Sequence, residues 1–174
     1  MNISIKKLTT PDTETANKLN NWTNDPTLVH LIRPNRDLDA LLTTVSVTVD
    51  TLNKQLSDHA IYLIYLDKQL VGEMNFQIDP EHIFNKKTGT AWIGIVIGEK
   101  TARGKGVGSQ AMDYIEKQIR IQKLKRIELG VFEFNTHAIN FYEDKGYKEI
   151  GRIYDFTYWK GKMWQDIRME KYLE

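Results

Sequence analysis

The chain has 174 residues, 41% hydrophobic and 27% charged, the balance of a soluble globular protein with enough length for one well-filled core. Its 24 basic and 23 acidic side chains leave a formal charge of +1, so neither a nucleic-acid stripe nor a membrane-seeking face is expected. The absence of cysteine excludes disulfides, thiolate zinc sites and a cysteine nucleophile, and no metal is expected.

No apolar run of signal-peptide length opens the chain, and no stretch approaches about eighteen apolar residues, so a cytoplasmic protein is expected. Residues 3–8 alternate apolar and polar side chains, which predicts a half-buried first strand. Thr10-Pro11 then reads as an N-cap with proline at the first helical position, opening a helix to about Trp22. Asn24-Asp25-Pro26 ends it, and Pro34 breaks the next segment. From Leu38 onward, Leu41, Leu42, Val45, Val49, Leu52 and Leu56 recur as one helical face, and the spacing predicts a helix. The β-branched run over 43–49 argues for a strand instead.

Residues 60–66 and 69–79 flank Asp67-Lys68, the pattern of an antiparallel hairpin with a two-residue turn. A polar loop over 82–87 leads to an apolar strand over 90–98. Val107, Ala111, Ile115 and Ile119, with Met112 beside them, form the stripe of an amphipathic helix. A strand over 125–132 precedes a helix over 135–145, capped by Asn135 and stopped by Gly146. Strands over 147–155 and 162–172, turned by Trp159-Lys160-Gly161-Lys162, complete the pattern. The order is α+β: a mixed, mostly antiparallel sheet of about seven strands with helices on both faces.

The most informative stretch joins the 90–98 strand to the helix after it: Arg103-Gly104-Lys105-Gly106-Val107-Gly108, followed by Ser109. Closely spaced glycines remove the Cβ atoms that would hold an anion away from the backbone. The helix N-terminus then offers unpaired N–H groups and the positive end of its dipole, and Arg103 and Lys105 add charge at the rim. The pattern is that of a diphosphate cradle; the alternative is a loop that only turns the chain. Two nucleotide motifs fail on spacing. A P-loop needs glycine five positions after Gly98, where Arg103 stands, and the dinucleotide fingerprint needs glycine at Ser109.

Arg-Gly-Lys-Gly-Val-Gly resembles the acyl-CoA pyrophosphate loop of the GNAT N-acetyltransferase superfamily, Arg/Gln-x-x-Gly-x-Gly/Ala. The block from Asn135 to Tyr147 resembles that family's other signature, an Asn opening a helix that ends in Tyr-Glu-Lys-x-Gly-Phe. Together they cover roughly residues 60–172. The resemblance implies a single acetyltransferase domain over 1–174, with acetyl-CoA as cosubstrate and direct transfer to a primary amine. It implies that backbone groups at Ile95, Val96 and Ile97, on a strand splayed from its neighbour, pair with the pantetheine arm and polarise the thioester. It places the diphosphate on residues 103–109, adds Asn135 as a CoA contact beside its capping role, and makes Tyr142 the acid that protonates the departing thiolate. The alternative for Tyr142 is an aromatic anchor for its helix. His137 reads as a solvated helix residue.

Many relatives carry a glutamate at the position of Trp92, which cannot accept a proton. Glu73 and Glu128 are the nearby candidates for a base, and the role stays unassigned. The segment Trp22-Thr23-Asn24-Asp25-Pro26 resembles the subgroup of ribosomal-protein-alanine, polyamine and some aminoglycoside acetyltransferases. It implies an acceptor wall near Asp25, Asp37, Asp39 and Asp155 with Trp22, Tyr154, Tyr158 and Trp159. A small polyamine-like or aminoglycoside-like amine is the favoured acceptor. A protein N-terminus, or acyl-CoA binding without catalysis, are the alternatives. A homodimer is among the expected states.

Overall fold

The structure, a computed structural model, describes residues 1–174. Its strands are β1 (Ile3–Lys7), β2 (His59–Leu66), β3 (Gln69–Ile78), β4 (Thr90–Ile97), β5 (Arg126–Phe132), β6 (Lys148–Trp159) and β7 (Lys162–Tyr172). Its helices are α1 (Thr13–Thr23), α2 (Val29–Ile32), α3 (Leu38–Leu42), α4 (Val49–Gln55), α5 (Val107–Ile121) and α6 (Thr136–Asp144). The strands form one seven-stranded sheet in the order β1-β2-β3-β4-β5-β7-β6. Every neighbouring pair is antiparallel except β4–β5. The expected α+β architecture with a mostly antiparallel seven-stranded sheet is therefore present. No helix is long and apolar enough to cross a membrane.

Each face of the sheet carries its own core. On one face Val107, Ala111, Met112, Ile115 and Ile119 of α5 are buried against Met74, Ile93, Ile127, Leu129 and Met169. The four larger α5 side chains contribute roughly 6–12 kcal/mol of gross hydrophobic stabilisation, before conformational entropy is subtracted. A charged residue at Ile115 would break this layer. On the other face Ala16, Leu19 and Trp22 of α1 and Leu52 of α4 cover Ile61 and Leu63 of β2.

Local chemistry explains the turns. Asp67 and Lys68 take φ of 49° and 70°, the left-handed pair that a two-residue hairpin requires, as the sequence predicts. The end of α6 is a Schellman motif: Tyr147 N–H donates to the Tyr142 carbonyl at 3.0 Å and Gly146 N–H to that of Glu143 at 2.9 Å. That motif fixes the turn carrying Tyr142.

Three expectations differ from the structure. The α1 cap is Asp12, whose carboxylate accepts from Thr15 N–H at 2.7 Å, so Pro11 precedes the helix rather than opening it. The helix expected from Leu38 to Leu56 is two short ones with an extended segment, 43–48, between them. Helical spacing alone cannot register the partners that α1 offers this segment. Asn24 bonds both backbone groups of Val45 at 2.8 Å, and Asn20 accepts from Val47 N–H at 2.9 Å. Leu42 is consequently 71% exposed. Finally, β6 runs past the expected end at Asp155, which sits at φ 48° where the β6–β7 register shifts, as a bulge does.

Candidate active site

β4 and β5 set the geometry. They pair over three residues only, Thr90–Trp92 against Arg126–Glu128, after which they part. β3 stays paired with β4 as far as Ile97, and β7 with β5 as far as Phe132. The β5-facing edge of β4 is therefore open beyond Trp92. Ile95 and Ile97 point into the α5 core, so the backbone, not these side chains, faces the gap. Val96 lies on the opposite face by alternation.

The glycine loop follows the unpaired end of β4 and leads into α5. Gly104 and Gly106 take φ of 70° and 76°, and nothing stands within 4 Å of where a Cβ would be at either. Gly106 occupies the α5 cap position without a side-chain cap bond, which leaves the first-turn amides of Val107, Gly108 and Ser109 presented outward. Lys105 is exposed beside them. Arg103 has a different occupation from the one expected: its guanidinium braces the end of β4, donating to the Ile97 and Gly98 carbonyls, each at 3.1 Å.

α6 lies next to this loop. The Asn135 side chain accepts from Ala138 N–H at 3.2 Å, as predicted for a cap. Lys145 clamps α6 onto α5, reaching the Ser109 carbonyl at 3.2 Å and Asp113 at 2.7 Å. A Cβ on Gly108 would lie 3.9 Å from the Phe141 ring. Tyr142 is half-buried, packed edge-on against Phe141 and Tyr147, and its hydroxyl is not among the sealed polar atoms lacking a partner. Burial pushes its pKa up to about 12, so the phenol stays protonated at any ordinary pH. His137 is exposed.

The candidates for a base separate clearly. Glu128 is fully buried and committed: it accepts from Phe84 N–H at 2.5 Å, pairs with Arg126 at 2.5 Å and faces Arg168 at 3.6 Å. It pins the 79–89 loop to the sheet and is not free for proton transfer. Glu73 receives one hydrogen bond, from Asn75 at 2.8 Å, and desolvation pushes its pKa up to about 7.

The expected acceptor wall is largely taken up by structure. Trp22 is buried against Gly98, where a Cβ would come within 2.1 Å of the indole, and it donates to Glu99 at 3.1 Å. Asp25 accepts from the amide and hydroxyl of Thr27, both at 2.7 Å, and these bonds hold its pKa below the usual value. Asp37 caps α3 through Ala40 N–H at 2.8 Å. Asp39, Asp155 and Tyr154 are exposed. Tyr158 ties β6 to the Asn35 carbonyl through its amide, at 2.6 Å. Trp159 alone joins an aromatic group, stacking on His30 at 3.9 Å and 9° and meeting Phe134 at 6.2 Å. His30 and Phe134 carry no motif. α2 lies in a stretch between two prolines that has too few residues for a period.

The sequence matches the Acetyltransferase (GNAT) family over residues 19–147. It is 33% identical over 95 residues to a "Probable spermine N(1)-acetyltransferase" of Bacillus subtilis subsp. natto (strain BEST195). That alignment covers 54% of this chain and 62% of the relative's length. The fold is similar to the crystal structure of a ribosomal-protein-alanine N-acetyltransferase from Brucella melitensis, with a TM-score of 0.77 at 18% identity over 98% of this chain and 99% of that one. It is also similar to a spermidine N-acetyltransferase from Vibrio cholerae, solved in complex with CoA and spermine. There the TM-score is 0.75 at 19% identity, over 98% and 95% of the two chains. At these identities the two structures share the fold.

Proposed function

The chain belongs to the acetyltransferase (GNAT) family, and from that premise we propose that it is an acetyl-CoA-dependent N-acetyltransferase acting on a small aliphatic amine. The observation that carries the proposal is the parting of β4 from β5 on the stretch of β4 that leads into an uncapped, glycine-opened helix terminus. One element supplies an unpaired strand edge and the other an anion site, the two things an extended arm joined to a diphosphate needs. The open space at Gly104 and Gly106 fits such a group. The favoured acceptor, a polyamine-like primary amine, is supported by the Bacillus relative's description. We take residues 1–174 to act as one catalytic unit, in the cytoplasm.

In this proposal acetyl-CoA supplies an acetyl group activated as a thioester. The Val107, Gly108 and Ser109 amides hold the diphosphate, with Lys105 adding charge and Arg103 bracing the strand end rather than gripping phosphate. The free edge of β4 at Ile95, Val96 and Ile97 holds the pantetheine arm and offers an amide to the thioester oxygen. Asn135 keeps α6 in register beside it. The amine nitrogen forms the new C–N bond and releases one proton to solvent, the C–S bond breaks, and the Tyr142 hydroxyl donates a proton to sulfur and regains one from solvent.

The test is thiol release, followed with a thiol-reactive dye. Release is expected only when acetyl-CoA and an aliphatic amine are both present. CoA binding with no release on any amine of a broad panel would make the chain an acyl-CoA-binding module.

A further inference from the structure

Between α1, α4 and the sheet lies a cavity of about 140 Å³, lined by Leu19, Thr23, Val47, Leu52, Ile61 and Glu73, with Gln55 completing it. Its single charged group is Glu73. The other buried carboxylates of this chain each meet a cation: Glu116 meets Lys171 at 2.8 Å, Glu128 meets Arg126 at 2.5 Å and Asp166 meets Arg168 at 2.7 Å. Glu73 has only the neutral Asn75 amide. Part of its surface remains accessible, yet the carboxylate lies deep enough in protein to raise its pKa. Leaving a desolvated carboxylate without a counter-ion is costly, and such groups concentrate at binding and catalytic sites.

Register connects this carboxylate to the parted strands. Glu73 stands opposite Val96 and Asn75 opposite Gly94, both on the stretch of β4 that β5 has left. Gly94 puts no side chain between them, and the Asn75 carboxamide lies over it, 3.3 Å from where a Cβ would be. Strands lie about 4.8 Å apart, so the Glu73 carboxylate stands roughly 5–10 Å from the open edge of β4, the span of a diaminoalkane of about three to six methylenes.

We propose that this cavity is a subsite for the non-reacting ammonium of an elongated aliphatic diamine or polyamine, with Glu73 as its counter-ion and Leu19, Val47, Leu52 and Ile61 around its methylenes. The subsite rests on the acetyl-transfer function proposed above and adds the acceptor's second charge to it. The Asp25 and Asp37 carboxylates are engaged as local caps. Glu73 is the unpaired acid on the α1 face that the second ammonium requires.

The experiment compares 1,4-diaminobutane with 1-aminobutane by calorimetric titration into CoA-saturated protein, so no turnover is needed. Acetyl-CoA is titrated separately into the parent and each variant. The parent is expected to bind the diamine at least about tenfold tighter than the monoamine. Glu73→Gln should abolish that preference while acetyl-CoA affinity holds. Val47→Phe, which fills the cavity without touching the charge, should lose the diamine in the same way, with a melting curve confirming its fold. An intact diamine preference in folded Glu73→Gln protein that still binds acetyl-CoA overturns the subsite alone. A parent that fails to bind acetyl-CoA overturns the transfer reaction instead.

Discussion

Burial raises the pKa of both Tyr142 and Glu73, and the value each reaches sets its behaviour. Tyr142, pushed up to about 12, keeps its proton through the working range and is a donor at every pH where the protein would be assayed. Tyr142→Phe keeps the ring and its packing against Phe141 and Tyr147. It should lower kcat at least about thirtyfold, given that a positioned acid contributes about 10²–10⁴ in rate, with acetyl-CoA affinity changed less than about threefold. Near-normal kcat would reduce Tyr142 to an anchor. Glu73 is raised from 4.5 to about 7. Because the folded state holds this proton more tightly, the stability Glu73 contributes is present below about pH 4.5 and is lost as pH rises through 7. Glu73→Gln should therefore gain on the parent by up to about 3 kcal/mol between pH 4.5 and 8. Denaturant unfolding at both pH values measures this, and a difference independent of pH would refute the shift. The position of Tyr142 was legible in the sequence because Asn135 and Gly146 bracket its helix. The occupations of Arg103, Asp25 and Glu128 were not. Glu128 is set by the Phe84 amide, far off in sequence, while Arg103 and Asp25 are set by nearby groups whose placement depends on the local turn rather than on any motif.

At the scale of elements, the first turn of α5 makes a separable test. Gly106 has positive φ, so any side chain there strains the backbone and confounds a binding result. Gly108 lies inside the helix with an ordinary φ, and a Cβ there would meet only the Phe141 ring, at 3.9 Å. Gly108→Asp places a carboxylate where the helix dipole favours it and where a diphosphate would be repelled. The melting temperature is expected to hold or rise while acetyl-CoA affinity falls more than tenfold, beyond ~1.4 kcal/mol. Unchanged affinity on calorimetric titration would remove this loop as the phosphate site. Elements with a clear period and punctuation, such as α5 and the β2–β3 hairpin, were readable in advance. The 38–56 region was not, because its apolar spacing and its β-branched run pointed to different structures. The deciding factor was Asn20 of α1 and Asn24 just past its end, both distant in sequence.

For the molecule as a whole, the proposed function rests on a sheet held together at one end of β4 and β5 and parted at the other. From the closed end along β5 and β7, the buried Arg126, Glu128, Asp166 and Arg168, with the half-buried Glu170, form a charged group that fixes the 79–89 loop to the sheet. Removing Glu128 would leave two arginines short of a partner, a loss of about 3–5 kcal/mol for a broken buried pair. The sequence supports the strand order through its resemblance to a known fold. The extent of the β4–β5 pairing has no local code, since β4 reads as one unbroken apolar run. Hydrogen exchange on the whole chain, with and without saturating CoA, tests the central claim most directly. Protection is predicted in peptides covering 93–98, 103–110 and 135–143, the open strand edge, the glycine cradle and the helix of Tyr142. Bound CoA that protects none of these, or protects only the far edge of the sheet at β1 and β2, would contradict it.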